Sequence, residues 1–214
     1  RAEAAGLSLM GAFHPERDAA ALPTGTGTLA LLGPGEPGFW PLVQAAPEFA
    51  DGAPDPLDRW SVRVVGRLAA ETGGTALFPF GGPPWLPFLA WAGRTRRFRS
   101  SPVGLLVHAE AGLWASIRGA LALPERIALP PAPPRPCDSC AGQPCRTACP
   151  AGALGDSGYD TAACRDFLDS AAGADCMERG CAVRRACPVS QGYPRDPAQS
   201  AFHMRAFHPA GGAP

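Results

Sequence analysis

Lysine is missing from the 214-residue chain, so all 19 basic residues are arginines, and 19 acidic residues balance them. The formal net charge is zero, and no excess of positive charge marks a nucleic-acid surface. The chain also lacks an apolar run of the roughly 20 residues that a membrane-spanning helix needs, and its start lacks the pattern of a secretory signal. These absences predict a cytoplasmic protein without a membrane contact, and they argue against a nucleic-acid partner.

Cysteine is absent from the first 136 residues, whereas all eight cysteines lie between Cys137 and Cys187. This change coincides with Pro124–Pro136 (PERIALPPAPPRP), whose prolines fix the backbone and lack amide donors. We expect an extended connector there. The sequence therefore predicts two domains, residues 1–136 and residues 137–214.

One segment of the first domain has the periodicity of a helix. Asp55 and Pro56 suit the N-cap and the first position of that helix, and apolar residues follow at intervals of three or four. Its predicted core face is Leu57, Trp60, Val64, Val65 and Leu68. A second stripe is typical of a solvated face; it consists of Arg59, Arg63 and Arg67.

Short apolar runs in the same domain predict strands. Thr28–Leu32 (TLALL) is expected to be a buried strand. Val103–His108 and Leu113–Leu123 are separated by the short turn Ala109–Gly112, and this arrangement predicts a hairpin. Helices and strands together give an α+β fold class.

The cysteines of the second domain form two groups, and each group ends in Cys-Pro, at Cys149-Pro150 and Cys187-Pro188. Thiolates are soft ligands that suit iron–sulfur clusters, and in two-cluster ferredoxins the cysteine before the proline binds the other cluster. We therefore expect a small ferredoxin-like domain with two [4Fe–4S] clusters. By this exchange rule the ligand sets are Cys137, Cys140, Cys145 and Cys187 for one cluster, and Cys149, Cys164, Cys176 and Cys181 for the other.

Three other interpretations of the cysteines stay open. Disulfides suit an exported protein, but the chain shows no export signal. Zinc sites also use four cysteines, but they require neither a proline after the fourth ligand nor an exchanged ligand. Inert buried thiols do not cluster so densely. Iron–sulfur clusters are the interpretation that accounts for both Cys-Pro endings.

Two family resemblances cover different parts of the chain. Ser101–Pro136, followed by the cysteine groups and by Tyr159-Asp160 ahead of Cys164, resembles epoxyqueuosine reductase and its reductive-dehalogenase relatives. Those enzymes join a cobalamin-binding domain to two [4Fe–4S] clusters. The resemblance implies the same pair of cofactors here.

The N-terminal part is similar to CblC-type cobalamin-processing proteins, which remove the upper axial ligand of cobalamin. Four stretches carry this similarity: GTGTLALLGPGEPGFWPLV from Gly25, DPLDRW from Asp55 followed by Val65-Gly66-Arg67, VGLLVHAEAGLWASIRGALALP from Val103, and the proline connector. The similarity implies that residues 1–136 form a nitroreductase-like domain that binds a corrinoid. In CblC-type proteins the arginine that matches Arg118 helps to bind glutathione, and a structural salt bridge is the alternative role for Arg118.

A corrin ring is broad and mostly apolar, so its site needs an apolar floor with backbone donors at small residues. Six residues near the matching segment can supply such a floor: Pro102, Val103, Gly104, Leu105, Gly112 and Trp114.

Our leading hypothesis is a reductase in which two iron–sulfur clusters receive electrons from a donor protein and pass them to a bound cobalamin. The outcome would be corrinoid processing or a cobalamin-dependent reduction. Two alternatives remain. One is a ferredoxin-type electron carrier without a corrinoid. The other is a tRNA-modifying reductase like epoxyqueuosine reductase, against which the zero net charge argues.

Overall fold

A computed structural model describes residues 1–15, 21–155 and 158–209. Helices and short antiparallel strands occur together, so the fold class is α+β, as predicted. The strands are β1 (Leu7–Phe13), β2 (Thr28–Pro34), β3 (Thr75–Leu77), β4 (Phe98–Ser100), β5 (Leu106–His108), β6 (Gly119–Leu123), β7 (Leu154–Gly155) and β8 (Gly158–Tyr159). The helices are α1 (Phe39–Gln44), α2 (Pro47–Ala50), α3 (Pro56–Thr72), α4 (Phe88–Arg94), α5 (Thr161–Leu168), α6 (Ala174–Arg179), α7 (Ala182–Ala186), α8 (Pro188–Gln191) and α9 (Pro197–Phe207).

The chain divides into two compact units. The first contains Arg1–Phe98 and Ser116–Pro133, and the second contains Arg99–Ala115 and Pro134–Pro214. The border after Pro133 lies inside the proline-rich connector. The segment Arg99–Ala115, which the sequence-based division gave to the first domain, belongs to the second unit because its apolar side chains pack among the cysteines.

The first unit is built on a four-stranded antiparallel sheet in the order β1-β2-β6-β3. Every residue of β2 is buried, which confirms the strand predicted at Thr28–Leu32. Strand β6 lies between two neighbours, since Leu121 is opposite Ala30 of β2 on one side and Ala76 of β3 on the other. The core of this unit therefore surrounds β2 and β6.

Helix α3 packs against β3 and β6. All five residues of its predicted core face are buried, and Pro56 is its first residue, so both predictions are confirmed. Asp55 is the N-cap residue, as predicted, but it adopts a left-handed backbone with φ of 52° and its side chain makes no capping hydrogen bond. Its carbonyl oxygen instead accepts from the amides of Asp58 and Arg59.

The predicted hairpin of Val103–His108 and Leu113–Leu123 is wrong. The tight turn between the two segments exists, since His108 and Gly112 exchange backbone hydrogen bonds. However, β5 pairs with β4, while β6 pairs with β2 and β3. Gly119–Leu123 consists of small and apolar residues that are mostly buried, and such a strand needs partners on both edges.

The arginine stripe of α3 is partly exposed, as predicted, and each of its members is ion-paired. Arg63 forms a bidentate ion pair, because its Nε and Nη2 donate to the two carboxylate oxygens of Glu48 at 2.5 and 3.0 Å. Arg59 donates to both oxygens of Asp51, and to backbone carbonyls of the loop before α3. The stripe therefore anchors α2 and the following loop onto α3.

Glu48→Gln tests the ion pair through the pH dependence of stability. The hydrogen bond from Arg63 holds the pKa of the Glu48 carboxyl below its ordinary value, so the pair stabilises the fold above the unfolded-state pKa of about 4.3. This contribution is lost as pH falls through the folded-state pKa. We expect Tm of the variant to lie below that of the wild type at pH 6, and the difference to disappear as pH falls below the lowered pKa of Glu48.

Glu71→Gln is the matched control for this prediction. Glu71 is paired with Arg67 at 3.8 Å, and both side chains are substantially exposed. Exposed pairs of this kind contribute about 0–1 kcal/mol. A pH-independent deficit in Tm for Glu48→Gln would contradict the assignment.

The second unit consists of short elements with turns between them. It contains the two-stranded sheet β7-β8, strand β5 and helices α5 to α9. Helix α5 begins after Asp160, whose side chain caps it by accepting a hydrogen bond from the amide of Ala163 at 2.9 Å. Within the described ranges, none of the helices of either unit is both long and apolar enough for a membrane crossing.

Candidate metal centre

Cysteines form part of the hydrophobic core of the second unit. Cys145 and Cys187 are 7% and 8% exposed, and they pack in one cluster with apolar side chains of the surrounding elements. The apolar members are Val103, Val107, Leu113, Leu154 and Val183. Small domains with so few buried apolar side chains commonly use a disulfide or a metal site for additional stability.

The first quartet of cysteines surrounds one cavity of about 490 Å³ in the second unit. Its members lie on turns and at a helix start: Cys137 and Cys145 on short 3-10 turns, Cys140 between these turns, and Cys187 at the N-cap of α8. All four thiols line the same cavity, together with Ser101, Pro102 and Val107. The rest of the lining is mostly loop residues 136–144.

The thiols of the first quartet influence one another's ionisation. Burial raises the pKa of Cys137, and the neighbouring thiols of Cys145, Cys187 and Cys140 raise it further. Cys145 shows the same directions, first from burial and then from Cys187. Four thiolates in such a site repel one another, so they ionise together only when a cationic group binds between them.

The second quartet is arranged around helices α5 to α7. Cys164 lies on α5, Cys176 on α6, and Cys181 directly before α7. Cys149 is the last cysteine of the first sequence group. Burial raises the pKa of Cys164, a hydrogen bond from Tyr159 lowers it, and the thiols of Cys181, Cys149 and Cys176 raise it. The thiols of Cys149, Cys176 and Cys181 therefore all act on the thiol of Cys164.

Cys137, Cys140, Cys145 and Cys187 thus line one cavity, and the thiols of Cys149, Cys176 and Cys181 act on that of Cys164. The assignment of these two sets as cluster ligands stays a prediction. All eight are free thiols. Among the described residues, no group of three or more His, Cys, Asp or Glu side chains is arranged so that it could hold a metal ion.

The lining of the first cavity fits an iron–sulfur cluster in donor chemistry. Its four soft ligands are thiols, and the walls between them are mostly apolar. Ser101 lines the same cavity and is 7% exposed; within the described part of the chain, its hydroxyl has no hydrogen-bond partner. An unpaired buried hydroxyl is costly, and a sulfur acceptor in the cavity would satisfy it.

The six residues expected to form a corrinoid floor all belong to the second unit. Pro102 lines the cavity of the first quartet, and Gly104 and Leu105 are at least partly exposed. Val103 is 2% exposed and belongs to the core. Gly112 packs against Ser190 of α8, and Trp114 lies against Gly180 and Arg195.

Arg118 belongs to the first unit and makes a salt bridge with Asp58 of α3 at 3.3 Å. Its side chain is only 12% exposed, and its guanidinium lies 6.0 Å from the ring centroid of Phe80. Burial lowers the pKa of Arg118 and raises that of Asp58, and in each case the partner's charge opposes the shift. Of the two roles left open for Arg118, the geometry matches the structural salt bridge.

Arg118→Gln should therefore destabilise the first unit whether or not glutathione is present. Removing one partner of a buried ion pair lowers the free energy of unfolding by about 3–5 kcal/mol. Because the Asp58 side chain is 36% exposed, we expect a smaller loss of about 1–3 kcal/mol. Urea unfolding measures the loss, with Arg67→Gln as the exposed control. A stable variant with weakened glutathione binding would instead assign Arg118 to ligand binding.

Two residues next to the second quartet were not singled out as site residues from the sequence. Tyr159 hydrogen-bonds Cys164, and the guanidinium of Arg184 influences both Cys181 and Tyr159. The available signal was their position, five residues before Cys164 and three residues after Cys181.

The chain was also compared with protein-family profiles, with curated proteins and with solved structures. None of these comparisons found a match, so a function is inferred from the arrangement of the two cysteine quartets.

Proposed function

We propose that the second unit holds two [4Fe–4S] clusters and that the protein uses them to deliver electrons to a bound cobalamin. The observation that carries the proposal is the grouping of the cysteines into two sets of four, each composed of members far apart in sequence. Cys187 joins residues 137–145 although it lies more than 40 positions away. This is the exchange typical of two-cluster ferredoxins.

When bound, each cluster would supply one-electron redox chemistry. The chain's own contribution is to hold thiolates at fixed positions and to exclude water from part of the site. Val103, Val107 and Leu113 pack around Cys145 and Cys187, so two ligands of the first quartet lie in an apolar environment. Such an environment keeps thiols inert when no cation is present and strengthens their attraction for one that binds.

The cobalamin part of the proposal rests on the resemblance to corrinoid-binding reductases and on where the matching segment lies. The segment with Pro102, Gly104 and Leu105 belongs to the same unit as the cysteines, and Pro102 lines the cavity of the first quartet. A corrinoid over these residues would be close to an electron source. Short distances between redox groups are what this function requires.

A ferredoxin-type carrier without a corrinoid is the second candidate. It is favoured by the burial of Val103 and Gly112 and by the salt bridge of Arg118, because these residues then have roles in packing. In this case the first unit would serve to dock the partner proteins.

The cluster proposal is tested by anaerobic reconstitution of the full chain with iron and sulfide. About eight iron atoms and eight sulfides per chain are expected, together with reversible bleaching of the visible absorbance by a reductant. A colourless protein that holds zinc instead would contradict the proposal.

The cobalamin proposal is tested separately, by titrating the reconstituted protein with cobalamin. The expected result is a base-off spectrum, because the chain lacks the Asp-x-His-x-x-Gly pattern with which many corrinoid proteins offer a lower ligand. An unchanged cobalamin spectrum at saturating protein concentration, with about eight irons present, would favour the ferredoxin-type carrier.

A further inference from the structure

Strand β4 is followed by a tight turn that places Ser101 in the lining of the cavity of the first quartet. The amide of Ser101 donates to the carbonyl oxygen of Leu105 at 2.8 Å, and the carbonyl oxygen of Ser101 accepts from the amide of Gly104 at 3.0 Å. Both backbone polar groups of Ser101 are therefore paired within the turn, and the backbone at this residue is held in place.

The two residues after Ser101 hold the turn against the cysteines. Val103 is 2% exposed and packs in the same hydrophobic cluster as Cys145 and Cys187. Pro102, which lies between Ser101 and Val103, lines the cavity as well, and its ring fixes the backbone angle φ. The position of Ser101 relative to these two cysteines is therefore set by packing in the core.

The hydroxyl of Ser101 is the polar group that this arrangement leaves without a partner. The residue is 7% exposed, and within the described part of the chain its Oγ makes no hydrogen bond. A buried hydroxyl in this situation has given up its hydrogen bonds to water without replacing them, which destabilises the fold. The backbone hydrogen bonds of the turn do not involve this side chain, so the turn alone does not require a hydroxyl here.

Two other polar side chains besides the cysteines line the cavity, those of Ser139 and Gln143, and both differ from Ser101. Ser139 is exposed, and its Oγ donates to the carbonyl oxygen of Pro136 at 3.3 Å. The side-chain oxygen of Gln143 accepts from Nε of Arg146 at 2.6 Å. Among the described residues of the lining, Ser101 thus contributes a buried hydroxyl donor that is still to be satisfied by a group inside the cavity.

We propose that the hydroxyl of Ser101 donates a hydrogen bond to a sulfur atom of the centre in the first-quartet cavity and raises the reduction potential of that centre. This inference rests on the proposed function. Reduction by one electron, from a donor protein or from dithionite, adds one negative charge to the centre, while the proton stays on Oγ of Ser101. A hydrogen bond donated to sulfur stabilises the form that carries the greater negative charge.

The test is a potentiometric titration of the anaerobically reconstituted full chain, followed by electron paramagnetic resonance. Ser101→Ala should shift the reduction equilibrium of one centre about tenfold toward the oxidised form, which is 59 mV for one electron. The other centre should keep its wild-type potential. In a Cys145→Ser background, which leaves only the second quartet to hold a centre, Ser101→Ala should have no effect on the remaining potential.

Matched variants separate the hydroxyl from the shape of the side chain. Threonine and valine have nearly the same shape, so Ser101→Thr should keep most of the wild-type potential, whereas Ser101→Val should behave like Ser101→Ala. Ser100→Ala removes the hydroxyl of the preceding residue, which is exposed and lies outside the lining, and it should shift neither centre. If the larger side chains prevent loading, Ser101→Ala, which adds no atom, is compared directly with Ser100→Ala.

The outcomes distinguish this inference from the proposed function. Wild-type protein that takes up no iron overturns both. A fully loaded Ser101→Ala variant with wild-type potentials overturns the inference alone and leaves the iron–sulfur proposal standing. Equal shifts in Ser101→Thr and Ser101→Val would assign the effect to shape, and equal shifts of both centres would assign it to a general change in the fold. Either result also overturns the inference.

Discussion

Replacing Cys137 and Cys187 together by serine should remove about four iron atoms per chain, no more than either single replacement removes. The two residues are 50 positions apart in sequence, but both line the cavity of the first quartet. Once one ligand is lost, that cluster is already absent, so the second replacement has nothing further to remove. The two effects are therefore non-additive, as expected for groups that act as a unit.

Cys137→Ser combined with Cys149→Ser should behave differently and leave almost no iron. These cysteines belong to the same sequence group, but Cys149 lies with Cys164 and Cys181 in the second quartet. Each replacement then disables a different site. Iron and sulfide quantitation after anaerobic reconstitution measures both double variants. The exposed Ser170→Ala, which lies outside the cavity lining, is a control that should keep about eight irons.

The opposite pattern would show that the exchange of ligands between the sequence groups is wrong. In that case Cys137→Ser with Cys149→Ser would retain about four irons, and Cys137→Ser with Cys187→Ser would lose all. The pair of double variants thus decides between crossed and uncrossed ligand sets.

Gly112→Ala should be the most damaging single replacement outside the cysteines in the second unit. Gly112 has φ of +57°, and a Cβ there would lie 2.5 Å from the backbone nitrogen of Ser190 and 2.6 Å from its Oγ. That Oγ accepts a hydrogen bond from the amide of Leu113 at 2.8 Å, so it cannot move away freely. Left-handed strain and overpacking together are expected to cost about 3 kcal/mol.

Gly104→Ala is the matched control for this replacement. Gly104 also has a positive φ, +77°, but no atom lies within 4 Å of the position of its Cβ. The free energy of unfolding should therefore fall only by the cost of the backbone strain, about 1–2 kcal/mol. Chemical denaturation of the reconstituted protein compares the two, and equal losses would show that contact with Ser190 is unimportant. Because Cys187 precedes α8, Gly112→Ala should also lower the iron content.

Elements with a strong local signal could be predicted from the sequence. The core face of α3 and the buried strand β2 are as expected, because apolar periodicity reports burial directly. The Cys-Pro endings led us to group Cys187 with Cys137, Cys140 and Cys145, and these four line one cavity, whereas the two ligand sets themselves stay a prediction.

Features that depend on the partner of a segment could not be predicted. The run Gly119–Leu123 has the composition of a strand, but nothing in it indicates β2 and β3 as neighbours instead of β5. The sequence did not distinguish a ligand-binding role for Arg118 from a salt bridge, because the position of Asp58 beside Arg118 depends on the tertiary fold. Likewise, the apolar side chains of Val103 and Val107 predict that they are buried, but only the tertiary structure shows that they pack against cysteines.

The burial of Cys145, Cys176 and Cys187 has a consequence for the lifetime of the polypeptide in a cell. A newly made chain that has not acquired its metal would have thiols, smaller than the usual aliphatic side chains, at the centre of a small core. Proteases remove chains in proportion to the fraction that is unfolded. With the proposed clusters as its ligands, the abundance of this protein would therefore follow the cell's supply of iron and its exposure to oxygen, without any dedicated sensor.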